Sequence, residues 1–170
     1  MKTYSNSKLD DLVQKAKDSE RSRLNLNLHQ SYEEPCQRLL NAIGLSSYIR
    51  PHRHQLDPKL ETLIAVRGLF ALITFDDHGK ILDVVKFGTE RYLEVNGVCV
   101  GVEIPPNVWH TVIALKDNSV LFEVKEGPFD PLVAKEFAEW APAETDFDVF
   151  DYLGLLRSAL LDDISIKTAD

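Results

Sequence analysis

A chain of 170 residues with 44% hydrophobic content is long enough to bury one sizeable core and too short to expect two independent domains. Its formal charge of −8, with no cluster of Lys and Arg to offset it, repels polyanions and excludes nucleic acid as an expected partner. No apolar run approaches the roughly 20 residues needed to cross a bilayer, and residues 1–7 lack a secretory signal, so no membrane partner and a cytoplasmic location are expected.

The residues from Ser7 to Asp18 place Leu9, Leu12, Val13 and Ala16 at helical spacing, with Ser7 as the expected N-cap, and read as a short amphipathic helix covering a sheet. Leu24 to His29 alternates strictly, leucines on one face and Asn25, Asn27 and His29 on the other. Such a strand turns its polar face either to solvent or to a cavity, and in the second case Asn27 and His29 touch or support a ligand. Cys36, without a CxxC partner, reads like Cys99 as a free buried thiol. Between Pro35 and Ile43 the apolar spacing fits a helix and the length fits a strand; the β-rich context favours a strand. In Arg50 to His54 an extended backbone points His52 and His54 to one face, and Arg50 shares their parity.

Leu60 to Gly68 is a β-branched, apolar run carrying Glu61 near its start. Leu69 to Phe75 and Lys80 to Phe87 form a hairpin about the turn from Asp76 to Gly79. Further strands are expected at Arg91 to Val95, Val98 to Ile104, His110 to Leu115 and Val120 to Lys125, separated by turn residues that include Pro105, Pro106 and Asn107. Many short strands at regular intervals indicate a mainly β sandwich or barrel. After Pro131 the pattern becomes helical, predicting helices over Leu132 to Trp140 and over Val149 to Leu161, the latter with Phe150, Leu153, Leu156, Leu160 and Leu161 in register. The organisation expected is one domain over residues 1–145, N-terminal helix included, with residues 146–170 as a helical extension packed on it.

Three imidazoles, His52, His54 and His110, together with Glu61, make a first shell for one divalent metal ion. The donor set suits Fe, Mn, Ni, Co or Zn without choosing among them. Asp57, in the spacer between His54 and Glu61, is an alternative acidic ligand.

These residues resemble the motifs of the cupins, small jelly-roll β-barrels that hold one metal inside. The first cupin motif, G(x)5HxH(x)3-4E(x)6G, is matched at His52, His54, Glu61 and Gly68, with Ser46 in place of the leading glycine and a longer spacer before Glu61. The second, G(x)5PxG(x)2H(x)3N, is matched at Pro105 and His110, with Cys99, Asn107 and Ala114 at its other fixed positions. Asn tolerates the left-handed backbone that the turn requires. Strings spread from Arg23 to Glu144, among them Tyr48 to His54 and Glu123 to Pro128, look like the WbuC family of cupin fold metalloproteins. That resemblance implies a bacterial cytosolic metal-binding cupin, in some genomes encoded among surface-polysaccharide genes, with no established reaction.

Two functions remain open at this point. One is an enzyme acting on a small polar or anionic molecule such as a sugar or sugar-nucleotide derivative, with His29 or Glu123 as proton carrier. The other is a noncatalytic metal- and ligand-binding module for sensing or assembly. Arg50, Arg38 and Lys125, with Asn27, are the candidate ligand-binding residues, since guanidinium and ammonium groups bind small anions. Unpaired sheet edges lead to the expectation of a homodimer.

Overall fold

The computed structural model describes residues 1–166, with side chains through residue 160. Helix α1 (Asn6–Lys17) is followed by strands β1 (Arg23–Asn27), β2 (Cys36–Ile43), β3 (His52–Arg53), β4 (Glu61–Arg67), β5 (Leu69–Phe75) and β6 (Ile81–Gly88). Then come β7 (Val98–Cys99), β8 (Gly101–Ile104), β9 (Trp109–Ala114), β10 (Ser119–Glu126), β11 (Glu136–Phe137) and helix α2 (Val149–Ile166). The strands form a five-stranded sheet in the order β1-β2-β10-β4-β8 and a six-stranded sheet in the order β11-β3-β9-β5-β6-β7. Pairing is antiparallel except between β6 and β7.

Strand alternation sorts the side chains into three apolar layers. Inward-facing Leu63, Leu121 and Ile43 of the first sheet meet Phe70, Leu72, Phe87, Val112 and Ala114 of the second. On the outside of the first sheet, Leu40, Ala42 and Val120 receive Leu9, Leu12, Val13 and Ala16 of α1. Outside the second sheet, Ala71, Ile73 and Ile113 receive Leu153, Leu156 and Leu160 of α2. Each such leucine, fully buried, contributes about 1.5–3 kcal/mol. Strand β9, sandwiched between the inter-sheet core and the α2 layer, is buried at every position.

The inner layer is not uniformly apolar. Along β4 the inward series runs Glu61, Leu63, Ala65; along β9 it runs His110, Val112, Ala114; along β10 it runs Lys125, Glu123, Leu121. The antiparallel register sets Lys125 beside both Gln37 and Glu61, and His110 beside His52. One end of the inter-sheet space is therefore polar and the other apolar.

Several sequence expectations shift. The cap of α1 is Ser5, whose Oγ accepts from Lys8 N, rather than Ser7. Arg91 to Val95 is no strand; a 3₁₀ turn at Glu90–Tyr92 occupies the region. Val98 to Ile104 divides at Val100, so that β7 joins the second sheet and β8 the first. Leu132 to Trp140 is not helical, because its backbone is drawn out as a strap that pairs β11 with β3. Both cysteines are free, but Cys36 is exposed and Cys99 only half-buried. In α2, Phe150 is 70% exposed, and Val149 takes the buried position beside Leu153 and Leu156. The expected extension over residues 146–170 falls partly outside the described residues. Among those that are described, no helix is long and apolar enough to cross a membrane.

Candidate metal centre

Three structural elements deliver four side chains to one point. His52 lies in β3 and His54 just past it, Glu61 opens β4, and His110 sits second in β9, directly paired with His52. Their ligand atoms all lie within 4.8 Å of one another, and all four residues are buried. The turn before β9 is tight enough to need a left-handed residue, and Asn107 supplies it at φ 67°. Gly68, at φ +83°, lets the chain bend from β4 in the first sheet to β5 in the second, with Ser119 packed closely above it.

The far side of each imidazole fixes its chemistry. His52 Nδ1 is 3.0 Å from Arg50 O, His54 Nδ1 is 2.5 Å from Ala134 O, and His110 Nδ1 is 2.8 Å from Val108 O. A carbonyl oxygen only accepts, so each Nδ1 carries the proton and each Nε2 is left with a lone pair. Those Nε2 atoms face the carboxylate: Glu61 Oε2 is 3.3 Å from His54 Nε2 and 3.4 Å from His110 Nε2. His110 Nε2 is buried with no hydrogen-bond partner. Lone pairs facing a carboxylate at this distance call for a cation between them, and carbonyl-anchored histidines are the usual support of metal ligands. The residues therefore fit a divalent ion. Burial, with the charge of Lys135 and the neighbouring His110, holds the His52 pKa well below its ordinary value, so His52 stays neutral. Burial acts to raise the Glu61 pKa, but the Lys125 ammonium outweighs it and holds the carboxylate ionised. Asp57 turns away and pairs with Lys59 at 2.7 Å.

Beside the four ligands lies a second polar set. Lys125 Nζ is 2.9 Å from Glu123 Oε1 and 3.6 Å from Glu61 Oε1, while Glu123 Oε2 accepts from Asn41 Nδ2 at 2.7 Å. Burial and the neighbouring Glu61 charge raise the Glu123 pKa. Burial opposes the charge on Lys125, but Glu123 and Glu61 together raise its pKa.

This set borders a cavity of about 410 Å³ lined by Asn25, Asn27, His29, Asn41, Glu123 and Lys125, with Phe129 and Phe137 among its apolar walls. The polar face of β1 thus meets a cavity. His29 is buried, its Nδ1 3.0 Å from Arg38 N and its Nε2 unpartnered. Asn27 Oδ1 accepts from Asn25 Nδ2. Arg38 and Arg50, both expected as ligand contacts, are not brought to this cavity. Arg38 shares its strand face with Leu40 and Ala42 and pairs with Glu34 at 2.6 Å. Arg50 precedes the short strand β3, where alternation no longer applies, and donates to Ala138 O through Nε at 3.0 Å and Nη2 at 2.6 Å. Sequence reasoning missed the strap, which supplies Ala134 O to His54 and brings Lys135 to the cavity. No local signal marks the strap, because Pro128 and Pro131 precede the segment, where proline is compatible with a helix start.

The architecture is shared with known proteins. The chain is similar to protein SO0799 from Shewanella oneidensis, with a TM-score of 0.56 and 10% identity, covering 75% of this chain and 82% of that one. It is also similar to the capsular polysaccharide assembling protein CapF from Staphylococcus aureus, with a TM-score of 0.51 and 17% identity over 71% of this chain. The match covers 33% of CapF, so this chain spans about a third of that protein. These neighbours have the cupin fold, and the likeness places this chain in the same fold class. A family model described as a domain of unknown function (DUF6016) matches residues 4–87. No curated protein matches the sequence.

Proposed function

We propose that this chain is a metal-dependent enzyme in which His52, His54, Glu61 and His110 hold one divalent ion and the adjoining cavity takes a small polar substrate. The substrate we favour is a sugar or sugar-nucleotide derivative of surface-polysaccharide metabolism. The observation that carries the reading is the orientation of the imidazoles, each Nδ1 bound to a backbone carbonyl and each Nε2 turned towards Glu61. Fe, Mn, Ni, Co and Zn all accept such a donor set. When bound, the ion supplies Lewis-acid polarisation of a substrate oxygen.

The chain's own groups supply proton handling. Glu123 holds its proton more readily than an ordinary carboxylate, and Asn41 and Lys125 fix its two oxygens. It is suited to give or take a proton at a substrate atom lying beside the four ligands. A noncatalytic binding module has no need of such a group, which is why the enzyme is the preferred reading. The sugar assignment is supported by the resemblance of Arg23 to Glu144 to the WbuC family and by the name of CapF, a capsular polysaccharide assembling protein.

The test is an NMR screen of the metal-loaded protein for turnover of sugars and sugar nucleotides, repeated with Glu123→Gln. The variant is expected to keep its metal and lose turnover by about 10²–10⁴-fold, the usual contribution of a general acid–base group. Unchanged turnover would remove Glu123 as proton carrier, and loss of metal along with turnover would make it a support of the ligand set.

A further inference from the structure

The cations around the cavity differ in what they are free to do. Lys125 is committed to Glu123 and Glu61. Arg23 is paired with Glu144, and its Nη1 donates to Tyr48 O at 2.7 Å. Two others, Lys135 and Arg21, line the same cavity and have no acidic partner and no side-chain hydrogen bond among the described residues. Lys135 lines the cavity next to Ala134, whose carbonyl anchors His54, so this cation enters from the segment that supports the metal ligands. Its side chain is exposed to solvent. In a chain of net charge −8, an ammonium left unpaired beside a concave polar surface marks where a ligand brings its own negative charge.

The opposite wall offers a different chemistry. Asn25 Nδ2 is bound to Asn27 Oδ1, and Asn41 Nδ2 to Glu123. Asn25 Oδ1, Asn27 Nδ2 and Asn41 Oδ1 remain, an alternation of acceptors and a donor that suits hydroxyl groups, each able to donate and accept. The rings of Phe129 and Phe137 give a carbon skeleton an apolar face.

The geometry points to a polyhydroxylated anion as the ligand of this cavity, its carboxylate or phosphate held by Lys135 and its hydroxyls by the Asn25, Asn27 and Asn41 wall. This deepens the metal-centred function proposed above and rests on it. Calorimetric titration of the metal-loaded protein with gluconate, glucose 1-phosphate and glucose tests it, with metal content measured on the same samples. At least one of the two anions is expected to bind about tenfold or more tighter than glucose, in keeping with one charge-assisted contact. Whichever anion binds names the source of the charge. Lys135→Met should remove that preference, Lys135→Arg should restore it, and metal content should hold in both. Binding of neither anion to metal-loaded protein, equal binding of glucose, or indifference to Lys135→Met would each overturn the inference. A chain that carries no metal would sink the earlier proposal instead. Arg21→Gln, at a position clear of the metal ligands, gives a second reading of the same anion preference should Lys135→Met not fold.

Discussion

Glu61 is the residue on which the acidic half of the site depends, because its carboxylate faces two imidazole lone pairs while Asp57 is held by Lys59 on the outside. Glu61→Gln is expected to weaken metal retention in chelator competition by more than the 10–100-fold, roughly, that losing an outer-sphere partner costs, and Asp57→Asn to leave it nearly unchanged. The opposite ranking would make Asp57 the ligand. Gly68 makes a sharp stability prediction, since a Cβ there would lie 2.1 Å from Ser119 Oγ on a backbone at φ +83°. Gly68→Ala should lower the denaturant midpoint by the equivalent of about 1–3 kcal/mol, the range for strained backbone positions. At this scale the four ligands were legible, because motif spacing reports which residues a barrel brings together. The neighbours were less so. Arg50 was placed by strand parity in a segment where only His52–Arg53 is strand, and its guanidinium goes to Ala138 instead. Arg38 shares the face of Leu40 and Ala42, which only their packing under α1 sets outward.

Among the elements, β2 and the strap show what local pattern can and cannot decide. For β2, Cys36, Leu39, Leu40 and Ile43 suited a helix, and only the surrounding run of strands favoured the observed β conformation. The strap over Leu132 to Trp140 has no such neighbours in sequence; its extended form depends on pairing with β3 and on the carbonyls it gives to His54 and Arg50, contacts 80 or more residues away. Tertiary demand overrode a helical pattern there. Helix α2, by contrast, is amphipathic enough to be read, and its buried stripe seals the outer face of the second sheet. Leu156→Ala, at a position 3% exposed, should destabilise the fold by about 2–5 kcal/mol, seen as a lower urea midpoint at unchanged slope. A loss below 1 kcal/mol or so would mean that α2 is not part of the core.

At the level of the whole molecule, five tyrosines provide an internal probe of packing. Tyr48 donates to Pro142 O at 2.9 Å and meets Tyr152 edge-on. Burial pushes the Tyr152 pKa up to about 12, and burial with the neighbouring Tyr152 raises Tyr48 further. A folded pKa above the unfolded one favours the fold below the ordinary tyrosine value near 10 and loses that contribution as pH climbs through the folded value. Alkaline titration should therefore show these two phenols ionising together with loss of near-UV dichroism, and Tyr152→Phe should move the alkaline midpoint upward. Their ionisation below about pH 10 in a chain that keeps its dichroism would contradict the packing. The first sheet ends at β8, an edge without a partner strand among the described residues, and the expected assembly is a homodimer in sedimentation. A single monomer-mass species at micromolar concentration would exclude it.

Three carbonyl-anchored imidazoles and one carboxylate are expected to hold a metal ion. Elemental analysis of the purified protein beside the His52→Ala/His54→Ala double variant tests this most directly. About one divalent ion per chain is expected in the first, and none above background in the second, because two lost ligands break the chelate. Metal content unchanged in a folded double variant would contradict the account and move the site elsewhere.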